Sequence, residues 1–108
     1  NLGYFKRSID YFDKVIIKNP NFAEAWNKRA TAHFMMGNFD LSMQDISKTL
    51  QLEPRHFGAL DGMSLIFIHT NQFEKAIEVY DKMLEIFPNS IGTKLKKENM
   101  LSLSTKST

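Results

Sequence analysis

Apolar positions along this chain of 108 residues recur at the spacing of an α-helix. Trp26, Ala30 and His33 follow one another at steps of four and three residues, and Ile46 and Leu50 lie four residues apart further along. Side chains at such steps share one face of a helix. The pattern therefore predicts a series of amphipathic helices.

Short polar breaks divide these helical segments into pairs. Gly37 and Asn38 interrupt the first pair, and Asn71 and Gln72 interrupt the second. Gly and Asn tolerate the left-handed backbone conformation in which helices commonly end. A tight turn between two helices is predicted at each break.

Three prolines recur at a fixed period of 34 residues, at Pro20, Pro54 and Pro88. Aromatic, cationic and aliphatic residues share this period, and they are Phe5, Phe39 and Phe73; Lys14, Lys48 and Lys82; and Ile16, Leu50 and Leu84. Several columns with one period are the signature of a repeat protein. Because proline disfavours helical geometry in the preceding residue and lacks an N–H, each proline is predicted to follow the end of a second helix.

The repeat resembles the tetratricopeptide repeat family, whose pattern over 34 residues includes Trp, small residues, Gly, an aromatic residue and a closing Pro. Residues 23–56 fit best, through Trp26, Ala30, Gly37, Phe39, Ser42 and Pro54. Residues 57–90 match through Leu60, Ser64, Phe67, Phe73, Ala76, Tyr80 and Pro88. Three departures are His33 in place of Tyr, Arg29 in place of Leu and Asn71 in place of Gly.

The resemblance implies an all-α fold, a right-handed superhelical solenoid of helical hairpins. Residues 1–20 correspond to the second helix of a truncated first repeat, and residues 21–54 and 55–88 to complete repeats. Residues 89–102 are expected to form a C-terminal capping helix. Residues 103–108 are expected to form a disordered tail, since they are mostly small and polar.

In this family the first helices of the repeats line a concave groove, and the resemblance places two sets of residues there. They are Asn27, Thr31, Phe34 and Met35, and then Asp61, Leu65, Ile68 and His69. Such a mixture of apolar and polar groups suits a peptide or one face of a partner helix, and methionine adds adaptability. The expected function is a protein-binding scaffold or adaptor. The alternative for these residues is that they fill the hairpin cores.

Two glycines stand four residues apart in a predicted first helix, at Gly58 and Gly62. A glycine inside a helix costs on the order of 1 kcal/mol relative to alanine. Their placement predicts a close approach, either by the backbone of a ligand or by a neighbouring helix.

The first helix carries apolar residues without a predicted partner helix, namely Leu2, Tyr4, Phe5 and Ile9. A missing helix at a fragment boundary is the simpler explanation. The alternative is that two chains meet there, which would make this segment a self-association module of a larger protein.

Composition and charge argue against a disordered chain and against a nucleic-acid-binding or membrane-binding surface. Apolar residues make up 43% of the chain, which is enough for a packed core, and the net charge of +2 is too small for a nucleic-acid or anionic-membrane surface. Lys94, Lys96 and Lys97 form a basic cluster for which an acidic partner is one interpretation. No apolar run approaches the roughly 20 residues of a membrane-spanning helix. A cytoplasmic location is expected, with organellar and periplasmic locations left open.

No pattern of catalytic or metal-binding residues emerges. No two of His33, His56 and His69 are four residues apart, and neither GxSxG nor HExxH occurs. Carboxylates at amphipathic spacing on second helices are expected to be solvated, and they are Asp40, Asp45, Glu74, Glu78 and Glu85. We therefore expect no enzyme activity, no cofactor and no metal.

One use of the family is the capture of chaperone C-terminal carboxylates by groove-facing Lys, Asn and Arg side chains. Asn27 and Thr31 stand where the family's Lys and Asn would lie, and Gly62 stands where the next helix would bring Asn. Chaperone-tail binding is therefore disfavoured.

Overall fold

The computed structural model describes residues 1–106, which form α-helices joined by short turns and contain no strand. The helices are α1 (Leu2–Lys18), α2 (Ala23–Met35), α3 (Phe39–Leu52), α4 (Phe57–His69), α5 (Phe73–Ile86) and α6 (Ile91–Lys106). Residues 1–59 form one compact unit, and residues 60–106 belong to a second. The predicted all-α fold class is confirmed.

The turns after α2 and α4 adopt the same backbone geometry. Gly37 has φ 79° and Asn71 has φ 59°, both in the left-handed region. The N–H of Asn38 donates to the carbonyl of His33 at 2.9 Å, and the N–H of Gln72 donates to that of Phe67 at 2.7 Å. These bonds close a Schellman motif, which satisfies carbonyls at a helix end. Both predicted turns are confirmed.

Helices α1, α3 and α5 all end two residues before a proline, at Lys18, Leu52 and Ile86. Side chains then cap the helices that follow two of the prolines. The N–H of Ala59 donates to His56 Nδ1 at 3.0 Å, and the N–H of Thr93 donates to Ser90 Oγ at 3.3 Å. Each cap satisfies a backbone donor that the first turn of a helix leaves without a partner.

In the first unit, α2 packs against both α1 and α3. Four alanines of α2 are buried, and such small side chains allow helices to approach closely: Ala23, Ala25, Ala30 and Ala32. Opposite them, the buried hydroxyl of Ser42 donates to the carbonyl of Ala30 at 2.7 Å. The small residues of the repeat pattern thus bring α2 and α3 into direct contact.

In the second unit, α5 packs against α6. The largest buried side chains there include Leu60, Tyr80 and Met83, and α6 contributes Thr93 and Met100. Leu60, Tyr80, Met83 and Met100 belong to the apolar core of the second unit, and Thr93 of α6 is a buried polar residue.

Helix α6 is longer than the sequence predicts. The expected disordered tail over residues 103–108 is wrong for residues 103–106, which continue the helix to Lys106, and residues 107 and 108 lie outside the described part. Ser and Thr each cost less than about 0.7 kcal/mol relative to Ala in a helix. The Thr105 hydroxyl also donates to the carbonyl of Leu101 at 2.9 Å. Polar composition alone therefore does not end this helix.

Within residues 1–106 no helix is long and apolar enough to cross a membrane.

Candidate binding surface

Helix α2 carries the first set of predicted groove residues along one side, and we call it the α2 face: Asn27, Thr31, Phe34 and Met35. Thr31 lies four residues after Asn27, and Phe34 and Met35 lie three and four residues after Thr31, so these side chains share one side of the helix. Thr31 and Met35 are exposed, Met35 to 53%, whereas Asn27 and Phe34 are half-buried. The α2 face therefore presents an adaptable apolar side chain beside polar groups.

Phe34 takes part in the packing of its own hairpin. Its ring centroid lies 5.4 Å from that of Phe39 at the start of α3, with 39° between the ring planes. The alternative interpretation, that groove candidates fill the core, thus holds in part for Phe34. Met35, which is more exposed, is the better probe of a binding role.

Helix α4 carries the second set, the α4 face: Asp61, Leu65, Ile68 and His69. Leu65 is 39% exposed, His69 is exposed and Ile68 is half-buried. The Asp61 carboxylate accepts a hydrogen bond from Lys96 Nζ of α6 at 2.9 Å. Charge on this face is therefore partly neutralised by α6.

The sequence marks Lys96 only as part of a basic cluster. In the structure Lys96 pairs with Asp61, and its neighbour Lys97 pairs with Asp81 of α5. Two of the three cluster lysines are therefore engaged with carboxylates of their own unit. For the pair of Lys96 and Asp61 the available sequence signal is the period, because Lys96 falls within one residue of a full period beyond Asp61.

Gly58 lies close to two side chains of the first unit, His56 and Asn27. A Cβ atom at this position would sit 3.3 Å from His56 Cε1 and 3.5 Å from Asn27 Nδ2. The His56 ring is held in place, since Nδ1 accepts from Ala59 and Nε2 lies 3.3 Å from Glu24 Oε2. Packing therefore explains Gly58, and a close approach by a ligand at Gly62 stays a prediction.

Arg29 joins the three helices of the first unit. Its Nε and Nη2 donate to the two carboxylate oxygens of Asp45 at 2.9 and 2.8 Å, and Nη1 donates to Asp13 at 2.8 Å. Asp45 is buried, so its expected solvation is wrong, whereas Asp40, Glu74, Glu78 and Glu85 are exposed as expected. A buried carboxylate needs a cation with good geometry, and the planar guanidinium supplies it. The departure from Leu at position 29 is explained by this pair.

The same interactions keep Arg29 charged. Hydrogen bonding to Asp45, and then to Asp13, raises the pKa of Arg29 above its ordinary value against the opposing effect of burial. A raised pKa of a cation stabilises the folded state at every pH below the ordinary value of that group. The guanidinium of Arg29 therefore stays charged up to its ordinary pKa and beyond.

Trp26 secures the start of α2. Its Nε1 donates to the carbonyl of Pro20 at 2.8 Å, and the guanidinium of Arg29 lies 5.0 Å from the ring centroid. Lys48 Nζ lies over the same ring at 5.7 Å. A cation over the face of an indole is attracted by the negative face of the ring quadrupole. A direct hydrogen bond thus joins two residues of the repeat pattern, Trp26 and Pro20.

The three histidines are dispersed. His33 Nε2 lies 3.9 Å from Asp45, and its Nδ1 is buried without a hydrogen-bond partner among residues 1–106. His56 caps α4, and His69 lies at the end of α4. Among the described residues no group of three or more His, Cys, Asp or Glu side chains is placed to hold a metal ion.

Two family models match this chain. Both describe the tetratricopeptide repeat, one over residues 11–44 and the other over residues 58–90, and together they cover more than half of the chain. The chain belongs to the tetratricopeptide repeat family. The first match begins inside α1 and the second begins inside α4, so the tetratricopeptide pattern includes part of the segment before Pro20.

Two similar proteins are longer than this chain. A repeat-containing protein of Rhizobium etli is 40% identical over 95 residues, which are 88% of this chain and 46% of that protein. Hsp70-Hsp90 organizing protein 3 of Arabidopsis thaliana is 24% identical over 93 residues, which cover 82% of this chain and 17% of that protein. The chain thus spans less than half the length of these relatives.

A solved tetratricopeptide domain has the same fold. The first such domain of Spaghetti (RPAP3), bound to the HSP90 peptide SRMEEVD, has a TM-score of 0.86 at 19% identity. The likeness covers 95% of this chain and 84% of that chain. The predicted family and its helical-hairpin fold class are confirmed.

Proposed function

We propose that this tetratricopeptide segment is a protein-interaction module, and that its α2 face and its α4 face are each a surface for a peptide or a helix of another protein. The supporting observation is that Met35 and Leu65 expose apolar surface on first helices, beside the polar Thr31 and Asp61. Exposed apolar surface rimmed by polar groups is typical of interaction sites. The related Spaghetti domain, which binds an HSP90 peptide, supports the same use of the fold.

The chemistry of these faces favours a partner with apolar side chains over an acidic tail. On the α2 face Asn27 and Thr31 are uncharged, and Gly62 contributes no side chain on α4. Lys96 lies near the α4 face, but its charge is paired with Asp61. We therefore expect the peptide SRMEEVD to bind this chain weakly or not at all.

A test begins with peptides selected against the chain from a random displayed library. Combining Met35→Ala with Leu65→Ala removes exposed apolar surface from both faces, and we expect affinity for a selected peptide to fall at least about tenfold from a micromolar starting value. Fluorescence polarisation with labelled peptide measures the change. The pair Phe34→Ala and Leu65→Ala should weaken binding similarly, with some loss of stability because Phe34 packs on Phe39.

The matched control uses exposed apolar residues outside both faces. Ile17→Ala and Leu41→Ala remove comparable surface from α1 and α3, and binding should change by less than about twofold. If the control and test variants lose affinity equally, or if neither test variant weakens binding, the proposal is wrong.

We infer an interaction role and not a catalytic one, because the family is generally an interaction module, and because His56 caps a helix and Asp45 pairs with Arg29. The cytoplasmic location expected from the sequence stays a prediction.

A further inference from the structure

The six methionines of this chain differ widely in exposure, and all of them lie in the described part of the structure. Five are buried or half-buried: Met36, Met43, Met63, Met83 and Met100. Met83 and Met100 are the most deeply buried, at 1% and 8% exposure, whereas Met35 on the α2 face is 53% exposed. The sulfur that solvent can reach most easily is therefore that of Met35.

The exposure of Met35 is a property of its position in the repeat. The residues one and two periods of 34 residues further along are His69 and Leu103, and both are exposed as well. Helix α2 packs against both α1 and α3, and Met35 still reaches solvent. A packed repeat therefore leaves this column open.

A thioether in contact with solvent can be oxidised by hydrogen peroxide. Cysteine and methionine are the side chains with this sulfur chemistry, and the chain has no cysteine to compete for the oxidant. A lone pair of the methionine sulfur forms a bond to one peroxide oxygen while the O–O bond breaks, and the other oxygen leaves as water. The sulfur loses two electrons, which the peroxide gains. The product is methionine sulfoxide, which is polar where the thioether is apolar.

The nearest backbone donors are already in use. The N–H groups of the three residues after Met35, which are Met36, Gly37 and Asn38, donate to carbonyls in the last turn of α2. One turn earlier, the Thr31 hydroxyl donates to the carbonyl of its own helix at Asn27, at 3.2 Å. None of these donors is free for a sulfoxide oxygen at Met35, which would therefore stay a polar group on the α2 face.

The fold itself does not depend on the Met35 side chain. Met35 is the last residue of α2, and backbone hydrogen bonds together with the left-handed Gly37 hold the turn that follows. Oxidation of a core methionine such as Met83 would place a polar group among apolar side chains and disrupt the packing. At Met35 the same reaction changes the surface and leaves the core intact.

We propose that Met35 is a redox-modification site, at which hydrogen peroxide converts the thioether to a sulfoxide and thereby weakens ligand binding by the α2 face. A sulfoxide oxygen pressed against an apolar side chain of a ligand loses its hydrogen bonds to water, which is unfavourable. Methionine sulfoxide reductases, which draw their electrons from a dithiol, reverse the change. The effect on binding rests on the function proposed for the α2 face, whereas the selective oxidation of Met35 does not.

The first experiment maps oxidation along the chain. The protein of residues 1–108 is treated with hydrogen peroxide, and tandem mass spectrometry follows each methionine. We expect Met35 to be oxidised at least about tenfold faster than Met83 and Met100 in the folded protein, and at a similar rate to them in concentrated urea. Equal rates in the folded protein would overturn the proposal.

Thermal unfolding distinguishes a changed surface from a damaged fold. Protein oxidised at Met35 should have a melting temperature within about 3 °C of that of the untreated protein, because exposed positions contribute little to stability. A larger decrease would show that oxidation acts through unfolding, and the proposal would be wrong.

The second experiment measures binding of a peptide selected from the random library against the untreated protein. Catalase removes the peroxide before the labelled peptide is added, so that only the protein is oxidised. We expect oxidation to weaken binding at least about fivefold, and reductases for both sulfoxide epimers with dithiothreitol to restore it.

The neighbouring methionine is the matched control. Met36→Leu should respond to peroxide as the unaltered protein does, since it keeps the thioether of Met35. Met35→Leu keeps an apolar side chain that peroxide does not oxidise, and treatment should change its own starting affinity by less than about twofold. If peroxide weakens binding by Met35→Leu as much as by the unaltered protein, another residue is responsible and the proposal is wrong.

The two proposals fail in different ways. Suppose that combining Met35→Ala with Leu65→Ala weakens binding of the selected peptide but oxidation of Met35 does not. The redox proposal is then overturned, and the function proposed for the two faces stands. If that pair of substitutions leaves affinity unchanged, the proposed function fails together with the effect on binding, and the map of oxidation alone decides whether Met35 is the selectively modified residue.

Discussion

Replacing Arg29 with leucine is expected to lower the free energy of unfolding by about 3–5 kcal/mol, although leucine is the residue usual at this position in the family. The variant leaves the Asp45 carboxylate, whose side chain is 5% exposed, without either of its two guanidinium hydrogen bonds. Removing one partner of a buried ion pair leaves an uncompensated charge in a poorly solvated site. Urea denaturation followed by circular dichroism measures the loss.

The controls separate charge from side-chain shape. Lys28→Leu changes an exposed neighbour on the same helix and should alter stability by less than about 0.5 kcal/mol. Adding Asp45→Asn to Arg29→Leu removes the buried charge and should recover part of the lost stability. If the single and double variants are equally unstable, the cost arises from packing and the ion-pair explanation fails.

Truncation of Tyr80 to alanine is expected to lower the free energy of unfolding by about 3–5 kcal/mol. Tyr80 is among the largest fully buried side chains of the second unit, and its loss leaves a cavity that the surrounding helices fill only in part. Thermal and urea denaturation measure the effect. Hydrogen exchange should show the amides of α5 and α6 losing protection.

Tyr80→Phe is the matched control, since it keeps the ring and removes only the hydroxyl. We expect it to cost about 1 kcal/mol or less. Equal losses for the alanine and phenylalanine variants would attribute the effect to the hydroxyl and contradict the cavity explanation.

The sequence predicts helix ends well because they depend on local backbone chemistry. Gly37 and Asn71 mark turns that need a left-handed residue, and helices α1, α3 and α5 stop two residues before their prolines. These residues act on their immediate neighbours, so one sequence suffices to interpret them. The end of α6 could not be predicted in this way. Its last turn contains no glycine or proline, and its composition is only weakly unfavourable for a helix.

Side-chain partners are harder to predict than helix ends. The sequence identifies Arg29 as a departure from the family pattern but does not identify Asp13 and Asp45, which lie 16 residues before and after it. Asp45 has the spacing of a solvated position, and only the packing of α2 against α3 shows that it is buried. The candidate faces on α2 and α4 follow from the family resemblance, whereas the pairing of Lys96 with Asp61 requires the folded positions of both helices.

The bridge between Arg29 and Asp45 also restricts how this protein can diverge in evolution. The second hairpin holds the uncharged pair Met63 and Val79 in the same two columns. A lineage that replaces Arg29 first leaves the buried Asp45 carboxylate without its guanidinium partner, whereas one that replaces Asp45 first leaves Arg29 paired with Asp13. The order of substitution at these two positions therefore matters, and we expect Asp45 to be replaced before Arg29.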